Sequence, residues 1–227
     1  MDTLTDLTTV TDRMNCDKCK KSVKYYCYKC FLPRSDMQIP EIVLPVKLDI
    51  LKHAKENDGK STAIHARLVS PQSVRIFTYP DQLSEIDDDL NEGTFILFPS
   101  NSARTVEQIG AHAIKRLVVI DGTWSQAKSM LNNPKLVKLP HLTTICQTYE
   151  TKFWRYQSLG KHCLSTIEAI YYFYKEYSGM FGHEDNCDYD SLLYFFKYFY
   201  DLIQNTYKEN PEKKFITKHQ ENYIKYE

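Results

Sequence analysis

The sequence predicts an α/β protein: a mostly parallel sheet flanked by helices, preceded by a small cysteine-bearing unit. Three observations carry that expectation. From Ile39 onward, short β-branched runs alternate with runs of helical period, strand then helix, as in parallel sheets covered by crossover helices. The 227 residues are 42% hydrophobic and 26% charged. That composition supports a core burying roughly two-thirds of the unfolded surface, and it excludes a disordered chain, a collagen-like repeat and a small disulfide scaffold. Four of the seven cysteines fall between residues 14 and 36, ahead of the alternation.

Taken in order, residues 1–13 read as a polar tail. Its text, MDTLTDLTTVTD, has neither the apolar stretch of a secretory signal nor the arginines of a transit peptide. Residues 14–38 form the cysteine unit, residues 39–208 the main domain and residues 209–227 a charged tail. Within the main domain strands are expected at Ile42–Leu48, Val74–Tyr79, Thr94–Phe98, Leu117–Ile120 and Leu142–Gln147. Helices are expected at Thr62–Leu68, Ala103–Ile114, Trp124–Leu131, Ser165–Tyr177 and Ser191–Tyr207. The most apolar run, Ser191–Tyr200, is interrupted by Lys197 and is too short to cross a membrane. A nuclear or cytosolic, non-secreted chain with no membrane partner is expected. In such a compartment cysteines serve as thiols or metal ligands rather than disulfides.

Cys16, Cys19, Cys27 and Cys30 form two CxxC pairs separated by seven residues. Each CxxC turn can aim two thiolates at one tetrahedral position, and two such turns complete a closed four-cysteine shell. Zinc suits that shell; an iron–sulfur cluster, a redox pair and free thiols are the alternatives. A closed shell leaves no position for water, so the unit reads as a fold clamp or an RNA-facing knuckle. Cys146, Cys163 and Cys187 have no metal spacing and read as core residues.

Net charge is zero, with 29 basic and 29 acidic residues, so no global field argues for nucleic acid. The charge is segregated, however. Arg13, Lys18, Lys20, Lys21, Lys24, Lys29 and Arg34 surround the cysteines with Asp17 as the one acidic residue between them, whereas Asp81–Glu92 carries only acidic charge. Lys20, Lys21, Lys24, Tyr25 and Tyr26 could contact phosphates and stack on bases; alternatively the tyrosines pack the knuckle.

At Val118–Ala127 a buried strand ends in Asp121, Gly122 turns the backbone or admits a ligand, and Thr123 is placed to cap the helix that follows. Ligands of open α/β sheets bind outside the carboxyl ends of the strands. Helix capping alone is the other reading of Asp121 and Thr123.

Asp121-Gly122-Thr123-Trp124 followed by Ala127 resembles the Asp-x-Thr-Trp signature of the DTW-domain family. Phe153-Trp154-Arg155 and Leu164-Ser165-Thr166-Ile167-Glu168-Ala169 resemble that family's downstream blocks. Lys52-His53, Glu56 and Ser61-Thr62 resemble its upstream elements, with Ala54 where proline is usual. Phe98-Pro99-Ser100 resembles its strand-end element, and the paired CxxC segment its N-terminal cysteines. The resemblance spans roughly Cys16 to Tyr177.

The resemblance implies a fold related to the knotted, SPOUT-like RNA methyltransferases. It also implies transfer of the 3-amino-3-carboxypropyl group of S-adenosylmethionine to N3 of a D-loop uridine in tRNA. Residues 39–208 would be the catalytic domain, with Asp121, Thr123, Trp124 and Arg155 as catalytic candidates. His53, Glu56, Thr62, Phe98, Pro99, Ser100, Gly122, Leu164, Ser165, Thr166 and Glu168 would bind the donor, which is a co-substrate beside the structural zinc.

The chemistry sets three demands. A base must take the N3 proton, and Asp121 is the candidate. The donor's γ-carbon must be aligned for attack, with Arg155 holding the carboxylate and Glu168 or Glu56 the ammonium. Flat apolar faces, Trp124 with Phe98 or Phe153, must hold the rings. Ser165 and Glu168 also have capping-box spacing, and His53 also reads as a structural histidine. A methyltransferase on the same fold and a non-catalytic, zinc-bearing tRNA-binding module are the competing functions.

Overall fold

The structure, a computed structural model, describes residues 4–89, 92–144, 149–154, 160, 162–181, 187–210, 212 and 223–225. Two short hairpins come first: β1 (Met14–Asn15) with β2 (Ser22–Val23), and β3 (Tyr26–Cys27) with β4 (Leu32–Pro33). The main strands are β5 (Lys47–His53), β6 (Val74–Tyr79), β7 (Thr94–Leu97), β8 (Arg116–Asp121) and β9 (His141–Leu142). The helices are α1 (Ala63–Val69), α2 (Val106–Ile109), α3 (Trp124–Leu131), α4 (Thr166–Gly179) and α5 (Tyr194–Lys208).

Hydrophobic alternation in the central strands sets the layers. Leu117 and Val119 of β8 enter one apolar cluster, Val118 and Ile120 the other. In β5, Leu48 and Ile50 oppose Leu51 in the same way. Strands apolar on both sides need cover on both sides. Helices α1 and α4 supply one cover through Ala63, Ala66, Ile167, Ile170, Phe173 and Tyr174. Helix α3 supplies the other through Ala127 and Met130. The resulting five-stranded sheet is parallel throughout, in the order β6-β5-β8-β7-β9.

One charge lies within it. Asp49 of β5 is fully buried, and it accepts hydrogen bonds from Arg75 of β6 at 2.7 and 2.8 Å and from Arg116 of β8 at 2.8 Å. Pairing across three strands offsets the desolvation that an isolated carboxylate would suffer there.

A third cluster joins the cysteine unit to the domain. Tyr25 and Tyr26 pack with Ile64 and Leu68 of α1 and Phe195 of α5. Leu7 and Val10, from the segment read as a polar tail, are buried in the same cluster. At the other terminus Tyr223 and Ile224 are buried, and Gln204 donates to the Tyr223 carbonyl at 2.9 Å.

Most elements lie where the sequence places them; three do not. The strand expected at Ile42–Leu48 is Lys47–His53, because Pro45 has no N–H for a central ladder. The helix expected at Ala103–Ile114 shrinks to α2. Thr105 caps its start, and Gly110, at φ 85°, ends it in a conformation that few other residues adopt. The strand expected at Leu142–Gln147 appears as β9, and its residues 145–147 lie outside the described part. Cys163 and Cys187 are half-buried, Cys187 against the main core; Cys146 lies outside the described residues.

Candidate active site and cysteine knuckle

The chain leaves β5 toward β6 on one side and leaves β8 toward β9 on the other, so the crevice between β5 and β8 is the sheet's switch point. Asp121 ends β8 there, paired in register with Lys52 of β5. Gly122 makes the tight exit possible. A Cβ on it would stand 3.0 Å from Gln126 Oε1 and 3.3 Å from the Cβ of His53. Thr123 then caps α3. Its Oγ accepts from the Gln126 N–H at 3.3 Å, and its own N–H donates to Gln126 Oε1 at 2.7 Å.

Asp121 is 2% exposed. Ser61 Oγ donates to its Oδ2 at 2.7 Å and Thr166 Oγ1 to its Oδ1 at 2.8 Å. Burial raises its pKa above the ordinary carboxylate value, and the two hydroxyls partly offset that rise. Beside this bridge the Thr62 hydroxyl accepts the Ile167 N–H at 3.2 Å. The loop before α1, the end of β8 and the start of α4 are thus stitched into one frame.

A cleft of about 850 Å³ opens against that frame. It brings together Glu56, Thr62, Phe98, Pro99, Asp121, Gly122, Thr123, Trp124, Leu164, Ser165 and Thr166, all expected from the sequence. Phe98 and Trp124 form an aromatic corner with centroids 5.5 Å apart and planes at 57°. Phe153 also lines the cleft.

Three other candidates do not line it. His53 lines an adjoining polar cavity that shares Glu56 with the cleft, and its Nδ1 accepts from the Lys55 N–H at 3.1 Å. Ser100 is exposed and within 2.9 Å of His141 Nδ1. Glu168 is buried and accepts from Thr151 Oγ1, the Lys152 N–H, and the N–H and Oγ of Ser165, at 2.6–2.8 Å. Those bonds tie the 151–153 segment to the start of α4. The Ser165–Glu168 capping contact read from the sequence is present, and the carboxylate is filled by the protein's own donors. Arg155 lies outside the described residues.

The structure adds Lys60, Trp154, Ile203 and Tyr207 to the cleft wall. Ile203 and Tyr207 arrive on α5, whose sequence carries only an apolar-face signal. Trp154 was legible as part of a motif and Lys60 was not.

The sulfurs of Cys16, Cys19, Cys27 and Cys30 all lie within 4.8 Å of one another. A tetrahedral four-thiolate ion, with bonds of about 2.3 Å, sets its sulfurs about 3.8 Å apart. The donor set fits, and the four cysteines could hold one metal ion. The two turns are alike: Lys20 N–H donates to the Cys16 carbonyl and Phe31 N–H to the Cys27 carbonyl, both at 2.8 Å, with φ of 60° and 54°. Tyr25 and Tyr26 are buried and pack the knuckle onto α5. Arg34 is likewise engaged, by Asp12 and Asp36. Lys18, Lys20, Lys21 and Lys29 remain exposed.

A DTW domain model matches residues 24–204. The tRNA-uridine aminocarboxypropyltransferase 1 of Xenopus laevis is 33% identical over 240 residues, covering 86% of this chain and 82% of its own. That of Mus musculus is 34% identical over 241 residues, covering 85% and 78%. The mouse tRNA-uridine aminocarboxypropyltransferase 2 is 28% identical over 171 residues, covering 69% and 54%. No solved structure matches the chain.

Proposed function

The chain belongs to the DTW-domain family, and from that premise we propose that it is a tRNA-uridine aminocarboxypropyltransferase. S-adenosylmethionine donates its 3-amino-3-carboxypropyl group to N3 of a D-loop uridine, and methylthioadenosine leaves. One observation carries the reading: motif residues from separate stretches of sequence line a single cleft at the sheet's switch point. Its volume of about 850 Å³ accommodates a nucleoside with a charged tail.

Uridine N3–H is a weak acid. Asp121 takes its proton, helped by the burial that raises the carboxylate's pKa. The N3 electron pair then attacks the donor's γ-carbon in line with the sulfur. The carbon–sulfur bond breaks with its electrons passing to sulfur, which loses its positive charge. Methyl transfer would need the same sulfur presented through a different substituent, so orientation of the donor decides the product. Phe98 and Trp124 hold a ring of the donor, Glu56 meets its ammonium and Arg155 its carboxylate.

Zinc in the four-cysteine site would have a closed thiolate shell, and its chemistry is structural. The knuckle then secures Tyr25 and Tyr26 in the third core cluster. The kinship with knotted methyltransferases rests on the family and on the parallel sheet. The reading implies a nuclear or cytoplasmic enzyme.

The test is nucleoside mass spectrometry of tRNA incubated with the protein and with donor labelled in the aminocarboxypropyl carbons. Label on uridine, with methylthioadenosine released, is expected. Label entering RNA only from a methyl-labelled donor would make the protein a methyltransferase instead.

A further inference from the structure

Beside the cleft lies a smaller alcove of about 170 Å³, which the proposed reaction has not yet used. The two cavities share Lys60, Thr62, Trp154 and Ile203 as wall residues. The far wall belongs to the cysteine knuckle, through Tyr26 and Tyr28, whose ring centroids stand 5.0 Å apart edge to face. Tyr26 is fixed in turn by a 3.0 Å hydrogen bond to His65 Nε2. We propose that this alcove is the subsite for the uracil ring that is modified, while the larger cleft holds the donor. The assignment rests on the aminocarboxypropyltransferase reading.

Three features select that occupant. The alcove has room for one flat ring, with aromatic faces from Tyr28, Trp154 and Phe199; it does not have room for an adenosine with a sulfonium tail. Its wall adjoins the reacting groups, because Ser61 lines the alcove and donates to Asp121 at 2.7 Å. Charge separates the two substrates. The knuckle that forms the far wall carries exposed Lys18, Lys20, Lys21 and Lys29. That surface attracts an RNA backbone and repels a donor whose net charge is positive.

Lys60 completes the arrangement. It is the one cation among the described residues of either cavity, and it belongs to both. When N3 loses its proton, the negative charge spreads onto O2 and O4 of the ring. An ammonium beside that edge stabilises the anion that attacks the donor.

The experiment compares Tyr28→Ala, Tyr28→Phe and Gly59→Tyr with the unsubstituted protein. It measures kcat/KM for tRNA, donor affinity by calorimetry without RNA, and bound zinc. Tyr28→Ala should lower kcat/KM for tRNA about 10- to 100-fold, the range of a lost base–aromatic stack, with donor affinity unchanged. Tyr28→Phe should restore it. Gly59→Tyr should reproduce the loss by filling the alcove while leaving every residue of the knuckle unsubstituted. A matching loss of donor affinity would hand the alcove to the donor's adenine and overturn the assignment. Normal kcat/KM in both Tyr28→Ala and Gly59→Tyr would also overturn it, leaving the enzymatic reading intact. Absence of transfer by the unsubstituted protein would remove that reading, and the alcove assignment with it.

Discussion

Both oxygens of Asp121 are met by hydroxyls, from Ser61 and Thr166, and this makes the residue a sensitive place to separate chemistry from scaffolding. Asp121→Asn keeps the shape, and the two hydroxyls can turn to meet an amide. The fold should survive. If the carboxylate is the base, kcat should fall about 10²- to 10⁴-fold, with donor affinity retained in calorimetry. A loss confined to donor affinity would make Asp121 an anchor. His65 gives a second test at this scale, through stability. It is 2% exposed, ringed by Tyr26, Phe195 and Phe199, and burial lowers its pKa to about 3. The unfolded chain binds a proton near pH 6.5 that the folded chain refuses, so folding loses stability as pH falls through that window. The slope approaches about 1.4 kcal/mol per pH unit only well below pH 6.5, so the loss between pH 6.5 and 5 is roughly 1.5 kcal/mol. Denaturant melts of wild type and His65→Phe across that range should diverge by this amount; parallel curves would refute it. Asp121, Thr123 and Trp124 were legible beforehand because they are contiguous and sit on a recognisable strand-to-helix turn. Lys60 was not, because a lysine in a polar loop looks like any solvated charge until the fold sets it against the cleft.

Among the elements, legibility followed how local the determining interaction is. Helix α3 spans Trp124–Leu131 as expected, because Thr123, Gln126 and the apolar spacing all lie within it. Strand β5 was displaced because its apolar text runs on through Pro45, and only the sheet's hydrogen bonding decides where pairing begins. The Glu168 carboxylate, expected at the donor, shows a related limit: it lies outside the cleft wall and is met by the protein's own donors. Its capping contact with Ser165 is local, but its bonds to Thr151 and Lys152 come from a separate segment. The cysteine knuckle is the element most exposed to a single change. Its four short strands pair two by two and its core cluster is small, so a metal held by the four cysteines would supply much of its cohesion. Cys27→Ser should lose stoichiometric zinc, measured by elemental analysis. The loss should also loosen Tyr25 and Tyr26 from α5, read as faster amide exchange in residues 24–28. Retained zinc would refute the four-thiolate assignment.

For the whole molecule, a net charge of zero hides the polarity that matters. The basic residues around the cysteines are not equivalent once folded. Arg34 is consumed by Asp12 and Asp36, and Arg13 donates to Ser22, whereas Lys18, Lys20, Lys21 and Lys29 face solvent. Their sum is a local footprint on the unit that walls the alcove, and a polyanion can be held there without any global field. If each of these four lysines meets one phosphate, log Kd for tRNA should rise with log salt at a slope of about 3 to 4. Lys18→Ala combined with Lys20→Ala should lower that slope by about 2 and weaken binding across tRNA sequences. Donor binding should stay unchanged, because the cleft proposed for the donor is not lined by them. Fluorescence titrations between 50 and 200 mM salt, the range over which such contacts are resolved, measure both quantities. A slope that the double substitution leaves untouched would move the RNA footprint off the knuckle. The metal site would then act on catalysis only through the tyrosines it holds in place.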